Sequence, residues 1–125
     1  MKRLLILLTL CVTLISVGCK EDGPSQPISF LLETVNEAGN KLPVDLSITI
    51  TSSDNTTIFT TSRKSVTRFY YDLPSNAKTI RYSVLSKVPN QKYFHNYTIE
   101  KKNGKINTYT NMCHPNITCS KTVKL

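Results

Sequence analysis

The strongest constraint on the fold is an alternation of apolar and polar residues that recurs from Ile28 onward. In its clearest stretch, Leu46, Ile48 and Ile50 are separated by serine and threonine, which is typical of a strand with one buried face. Similar stretches, rich in β-branched and aromatic residues, recur about every ten residues between turn-forming residues. No segment outside the N-terminus has a helical period. The pattern predicts an all-β chain that forms a single antiparallel β-sandwich.

The alternation predicts about seven or eight short strands. They cover residues 28–35, 43–51, 56–61, 65–73, 80–85, 93–101, 105–110 and 118–125. Residues 56–61 are expected to return as the hairpin partner of the strand before them. The strongest hairpin signal is the dipeptide Asn103-Gly104, which is typical of the turns of β-hairpins.

The N-terminus has the layout of an export signal. Lys2 and Arg3 precede an uncharged apolar run from Leu4 to Val17, which ends at small residues. At about 14 residues the run is short for a bilayer-spanning helix, which needs about 20. The layout predicts a signal peptide over residues 1–18.

Residues 15–19, reading I-S-V-G-C, resemble the lipobox of bacterial lipoproteins. In that family a diacylglyceryl group is added to the cysteine thiol, the signal is cut before the cysteine, and the new amino group is acylated. The resemblance implies lipidation of Cys19 and, because several acyl chains give stable anchoring, a membrane-bound protein. Ser16 stands where the family usually carries Leu, Val or Ile. If Cys19 is not lipidated, the protein is instead a soluble secreted β-domain.

The residues after the cysteine refine this expectation. Residues 20–22, reading K-E-D, resemble the surface-export signal of Bacteroidota lipoproteins, which implies the outer face of the outer membrane. Gly, Ser and two prolines then make residues 19–27 a lipidated tether. Residues 28–125 form the predicted β-sandwich domain.

The mature chain is expected to be basic. Of 16 Lys and Arg, Lys2 and Arg3 belong to the signal, which leaves 14 against 8 acidic residues. From Lys78 to Leu125 the sequence contains many basic residues and one acidic residue, Glu100. This suggests an anionic partner such as a surface glycan or lipopolysaccharide. The alternative, which is favoured, is that lysines keep strand faces soluble and edges unpaired. Nucleic acid is not expected as a partner, because no nucleic-acid module is recognisable.

Two cysteines remain in the domain. Cys113 and Cys119, close in sequence in an oxidising compartment, predict a local disulfide, worth roughly 2 to 2.5 kcal/mol by chain entropy. Together with His114 they also offer three soft metal ligands. Zinc sites normally bring a second ligand pair from elsewhere in the chain, so the disulfide is favoured and no metal or cofactor is predicted.

The tyrosines and lysines near the strand at residues 93–101 are the candidate ligand contacts. Tyr93 and Tyr97 share one strand face, and aromatic faces can stack on sugars. With Lys101, Lys102 and Lys105 they are expected to form an exposed binding surface. The alternative is that the tyrosines fill the sandwich core, with their hydroxyls at the rim.

The sequence does not favour catalysis. Its carboxylates are scattered and mostly beside turns, no nucleophile elbow occurs, and His95 is expected to be a surface or half-buried side chain. The chain is therefore predicted not to be an enzyme.

Residues 35–50, V-N-E-A-G-N-K-L-P-V-D-L-S-I-T-I, resemble the opening hairpin of transthyretin-like or carboxypeptidase-regulatory-like domains. Residues 69–74, followed by 80–84, resemble their aromatic strand, Leu-Pro turn and next strand. The Gly-x-Phe pattern that usually leads into the aromatic strand is absent. The resemblance, like a more general immunoglobulin-like layout, implies a sandwich used for structure or binding.

Three functions follow as expectations. The first is a lipid-anchored, non-enzymatic binding module of the cell envelope, with a surface glycan or an envelope protein as ligand. The second is a structural accessory subunit or spacer of a surface assembly. The third, which applies if Cys19 carries no lipid, is a secreted soluble β-domain.

Overall fold

The computed structural model describes residues 26–125, so the signal peptide, Cys19 and most of the tether lie outside the described residues. The described part contains eight strands. They are β1 (Pro27–Asn36), β2 (Val44–Ser52), β3 (Thr57–Val66), β4 (Arg68–Asp72), β5 (Ala77–Leu85), β6 (Tyr93–Lys101), β7 (Ile106–Cys113) and β8 (Cys119–Lys124).

The strands form two four-stranded antiparallel sheets, which confirms the predicted all-β sandwich. The first sheet has the order β4-β1-β6-β7 and the second the order β3-β2-β5-β8. The alternating residues of β2 account for the core, because every second side chain points to the other sheet. Ile48 and Ile50 are 1% and 0% exposed, and they pack in one cluster with Phe30, Ile80 and Val84.

The two predicted hairpins are present. β2 pairs with β3 around a turn in which Asn55 has a φ of 66°. β6 pairs with β7, and in their turn Gly104 has a φ of 84° and donates its N–H to the carbonyl of Lys101 at 2.9 Å. Glycine suits this position because its backbone adopts positive φ without steric cost.

The hairpin implied for residues 35–50 forms only at its turn, where Asn36 donates its N–H to the carbonyl of Asn40 at 2.8 Å. β1 and β2 lie in different sheets, and Val35 and Lys41 make only an isolated bridge. Instead the chain turns a corner that is held by the Thr34 hydroxyl, which donates to the carbonyl of Leu42 at 2.6 Å. A second crossing follows β3, which extends to Val66, so that only Thr67 separates it from β4.

The sheets meet differently along their two open sides. Beside β3 and β4, the rings of Phe59 and Tyr71 stack with centroids 4.6 Å apart, and the Arg63 guanidinium lies 5.2 Å from the centre of the Phe69 ring. On the other side, β7 and β8 belong to different sheets and are joined by the Cys113–Cys119 disulfide.

Candidate functional site

The tyrosines expected on an exposed surface are buried. Tyr93 is 0% exposed and Tyr97 is 6% exposed, because the face of β6 that carries them also carries Ile99 and points to the second sheet. The prediction that these tyrosines and the nearby lysines form one exposed binding surface is therefore wrong. Lys102 and Lys105 are exposed at the β6–β7 turn and Lys101 is half-buried, so the lysines lie at the rim without the rings.

The rings of Tyr93 and Tyr97 instead form part of the hydrophobic core. The Tyr93 hydroxyl donates a hydrogen bond to the carbonyl of Val84 at 3.4 Å, and burial raises the pKa of Tyr93. The Tyr97 ring stacks on that of Tyr109, with centroids 4.8 Å apart. Tyr109 is 47% exposed, so this stack runs from the core to the rim, as the alternative interpretation of the tyrosines expected.

The outer face of the second sheet carries an ordered array of hydroxyls. Strand register aligns side chains across the four strands in rows. One row is Ser62, Ser47, Ser83 and Ser120, and the next is Thr60, Thr49, Arg81 and Thr122. We call these eight residues the hydroxyl face. Within it, the hydroxyls of Thr49 and Thr60 are hydrogen-bonded at 3.0 Å.

An open groove of about 450 Å³ runs over the hydroxyl face. Thr51, Asn55 and Thr57 extend its lining at the β2–β3 turn. Arg81 is an exposed cation in the lining. Within residues 26–125 the ion pair found is Lys87 with Asp45, at 3.7 Å, so the Arg81 guanidinium is not neutralised by a described carboxylate.

The hydroxyl face was missed from the sequence. The alternation in β2 shows that Ser47 and Thr49 point away from the core, but it does not show which residues of β3, β5 and β8 lie beside them. Their alignment depends on the strand order and register, which are set by pairing between distant segments.

The outer face of the first sheet is mixed, with apolar residues in two rows that are separated by a polar row containing Glu33, Arg68 and Asn96. Register places Val35, Phe94 and Met112 in one row, and Leu31 next to Tyr70 in another. We call these five residues the apolar strip. Met112 and Tyr70 are each 49% exposed.

A polar cluster lies inside the sandwich near β7 and β8. His95 is 3% exposed, so the expectation of a surface or half-buried histidine is wrong. Its Nδ1 is 2.7 Å from the Tyr82 hydroxyl oxygen. Desolvation, with a smaller contribution from the Lys121 charge, lowers the pKa of His95 to about 4, while burial raises the pKa of Tyr82.

The predicted disulfide is present and lies beside this polar cluster. Cys113 and Cys119 are bonded, with Cα atoms 6.2 Å apart. The sequence placed His114 beside them as the third soft ligand, but His114 is exposed. The histidine that completes the group is His95, since one of its ring nitrogens and both sulfurs lie within 4.8 Å of one another.

No protein-family model matches the chain, and neither a curated protein nor a solved structure matches it. No helix among residues 26–125 is long and apolar enough to cross a membrane.

Proposed function

We propose that this protein is a lipid-anchored binding module of the bacterial cell envelope, and that its hydroxyl face binds a glycan with anionic groups. The observation that carries the proposal is the groove of serine and threonine hydroxyls around the Arg81 guanidinium. Hydroxyls both donate and accept hydrogen bonds, which suits sugar hydroxyls. A guanidinium adds paired donors for a carboxylate or sulfate.

The chemistry of the groove favours binding over catalysis. Its lining contains no carboxylate, imidazole or thiol, so the described lining supplies none of the usual general acids or bases of glycan hydrolysis. The excess of basic residues in the mature chain would attract a polyanion from a distance. Selectivity would then come from the groove, where hydrogen bonds are short-ranged and directional.

Anchoring rests on Cys19, and its test is independent of the glycan. Expressed in a bacterial host, the wild-type chain should start at Cys19 with added acyl mass and should fractionate with membranes. Cys19→Ala should release it into the soluble fraction. A soluble wild-type protein without added mass would leave the secreted β-domain as the correct description.

Glycan binding is tested by calorimetry with the full-length protein in detergent. The probes are a uronic-acid polysaccharide, a sulfated polysaccharide and neutral dextran. Arg81→Gln should weaken binding to the anionic probes about tenfold, since a hydrogen bond to a charged group contributes about 1.4 kcal/mol or more. Arg68→Gln is the matched control, because Arg68 is also exposed but belongs to the first sheet. Equal losses of affinity in both variants would show that net charge alone causes the effect. Absence of binding to every probe would refute the proposal.

The apolar strip favours a second function, that of an accessory subunit in a surface assembly. Met112 and Tyr70 in particular expose apolar surface that a protein contact would cover. A photo-crosslinking residue at position 112 should then join the protein to one defined partner on intact cells, and Arg81→Gln should not change that product. Crosslinks spread over many proteins would contradict this function.

A further inference from the structure

We propose that reduction of the Cys113–Cys119 disulfide opens a metal site in which both thiolates and the His95 imidazole bind Zn²⁺. This inference does not depend on the proposed glycan binding, because it concerns the interior of the sandwich near β7 and β8 rather than the hydroxyl face. The proposal is based on the position of the His95 side chain, which is set by three strands and by the disulfide.

The three ligand atoms are already close. One ring nitrogen of His95 and the two sulfurs lie within 4.8 Å of one another. Around a zinc ion, with Zn–S about 2.3 Å and Zn–N about 2.0–2.1 Å, such atoms lie roughly 3.5 to 3.8 Å apart. The His95 nitrogen would therefore have to approach a sulfur by up to about 1.3 Å, and the two sulfurs, about 2.05 Å apart while bonded, would have to separate by roughly 1.7 Å. Side-chain rotation can supply both movements once the sulfurs are no longer bonded.

The surroundings hold the imidazole as a zinc ligand requires. When Nδ1 carries the ring proton and donates it to the Tyr82 hydroxyl oxygen, Nε2 is left for the metal. A partner on the second nitrogen is the usual arrangement for metal-bound histidine. A neutral ring has the lone pair that binds metal.

A second observation is a buried donor near His95 that lacks an acceptor in the described part of the chain. Asn111 stands directly opposite His95 in the β6–β7 pair, and its Nδ2 is buried without a hydrogen-bond partner among residues 26–125. A buried donor left unpaired costs free energy. A thiolate beside it would accept an N–H···S hydrogen bond. Lys121, whose charge acts on His95, would stabilise the same thiolates.

The chemistry balances with a dithiol reductant. The reductant gives two electrons and two protons to the protein disulfide, which becomes two thiols, while the reductant becomes an intramolecular disulfide. Cys119 is half-buried and Cys113 is buried, so Cys119 is the sulfur open to attack. Binding of Zn²⁺ then releases the two thiol protons and restores a cross-link between β7 and β8. Two thiolates and one imidazole leave a fourth position for water.

The test uses the full-length chain in detergent with Cys11→Ser and Cys19→Ser, so that Cys113 and Cys119 are the remaining cysteines. The protein is reduced with a phosphine, freed of reductant without oxygen, and titrated with Co²⁺ as a spectroscopic probe and with Zn²⁺ against a chelator. The reduced protein should show thiolate-to-cobalt charge-transfer absorption. It should bind Zn²⁺ at least about 100-fold more tightly than the disulfide form.

Two histidine variants identify the third ligand. His95→Gln should weaken Zn²⁺ binding by the reduced protein at least about tenfold, whereas His114→Gln, which changes the exposed neighbour of Cys113, should not. Weakening by His114→Gln alone, equal binding by the oxidised protein, or no binding at all would overturn the proposal.

A measurement on the unsubstituted histidines covers the case in which His95→Gln does not fold. In ¹⁵N spectra of the reduced protein, Zn²⁺ should shift the Nε2 resonance of His95 and leave both nitrogens of His114 unchanged. A shift at His114 alone, or at neither histidine while zinc is bound, would also overturn the proposal.

Discussion

Between β1 and β2 the two sheets meet through hydrocarbon side chains, whereas between β6, β7 and β8 they meet through an imidazole, phenols and a disulfide. Phe30 and Ile48 represent the first region, and His95 with Tyr82 the second. Both regions are buried, but they are held differently. The hydrocarbon region is stabilised by removal of apolar surface from water, and the polar region depends on satisfied hydrogen bonds, a protonation state and a covalent bond. Stability should therefore respond to redox conditions through the polar region, and His95 should make that region contribute to the dependence of stability on pH.

The largest effect should come from the hydrocarbon region. Ile48→Ala removes three carbons from a side chain that is 1% exposed in the middle of β2. The free energy of unfolding should fall by roughly 2 to 5 kcal/mol, because transfer and cavity terms add. Denaturant unfolding measures it. Ile106→Ala is the control, since Ile106 is 61% exposed, and a similar loss there would contradict the location of the core.

The next effect is a dependence on pH that arises in the polar region. Burial lowers the pKa of His95 from 6.5 to about 4, so between these values the unfolded chain binds a proton at this residue that the folded chain does not. The free energy of unfolding should therefore decrease as pH falls from 6.5 to 4, by up to about 3 kcal/mol.

Unfolding measured across that pH range checks this prediction in paired variants. His95→Gln should remove most of the dependence, and His114→Gln should retain it, since His114 is exposed. If the two variants have the same slope, the dependence arises from other groups and the polar region does not control it.

The smallest of the three effects is that of the disulfide. Reduction in the absence of metal should lower the free energy of unfolding by roughly 2 to 2.5 kcal/mol, because it frees a short loop in the unfolded chain. The paired variant with Cys113→Ala and Cys119→Ala should not respond to the reductant. An unchanged unfolding midpoint in the wild type would contradict a stabilising role of the disulfide.

The strands were predictable because the alternation of side chains is local. In β6 the same alternation also shows which face of the sheet each side chain occupies. Tyr93, His95 and Tyr97 share a face with the apolar Ile99, and Glu100 lies on the opposite face. The hypothesis that these aromatic residues contact a ligand gave more weight to their ring chemistry than to this alternation of faces. It therefore placed Tyr93 and Tyr97 on the wrong face of the sheet.

Strand order was not predictable in the same way. Nothing near Ser47 in the sequence shows that Ser83 and Ser120 lie in its row, or that His95 rather than His114 approaches the disulfide. These neighbours depend on which strands pair and in what register, and pairing is decided by the packing of the whole sandwich.

The position of β1 has a consequence for how the chain folds. This strand lies inside the first sheet, between β4 and β6, and Phe30 pairs with Ile99. Its residues come first in the domain, yet one of its two partners, β6, follows only after four other strands. Folding dominated by such distant pairings is slow, on the order of milliseconds to seconds. For a protein exported as we propose, late closure of this sheet would keep the chain open during its passage through the membrane.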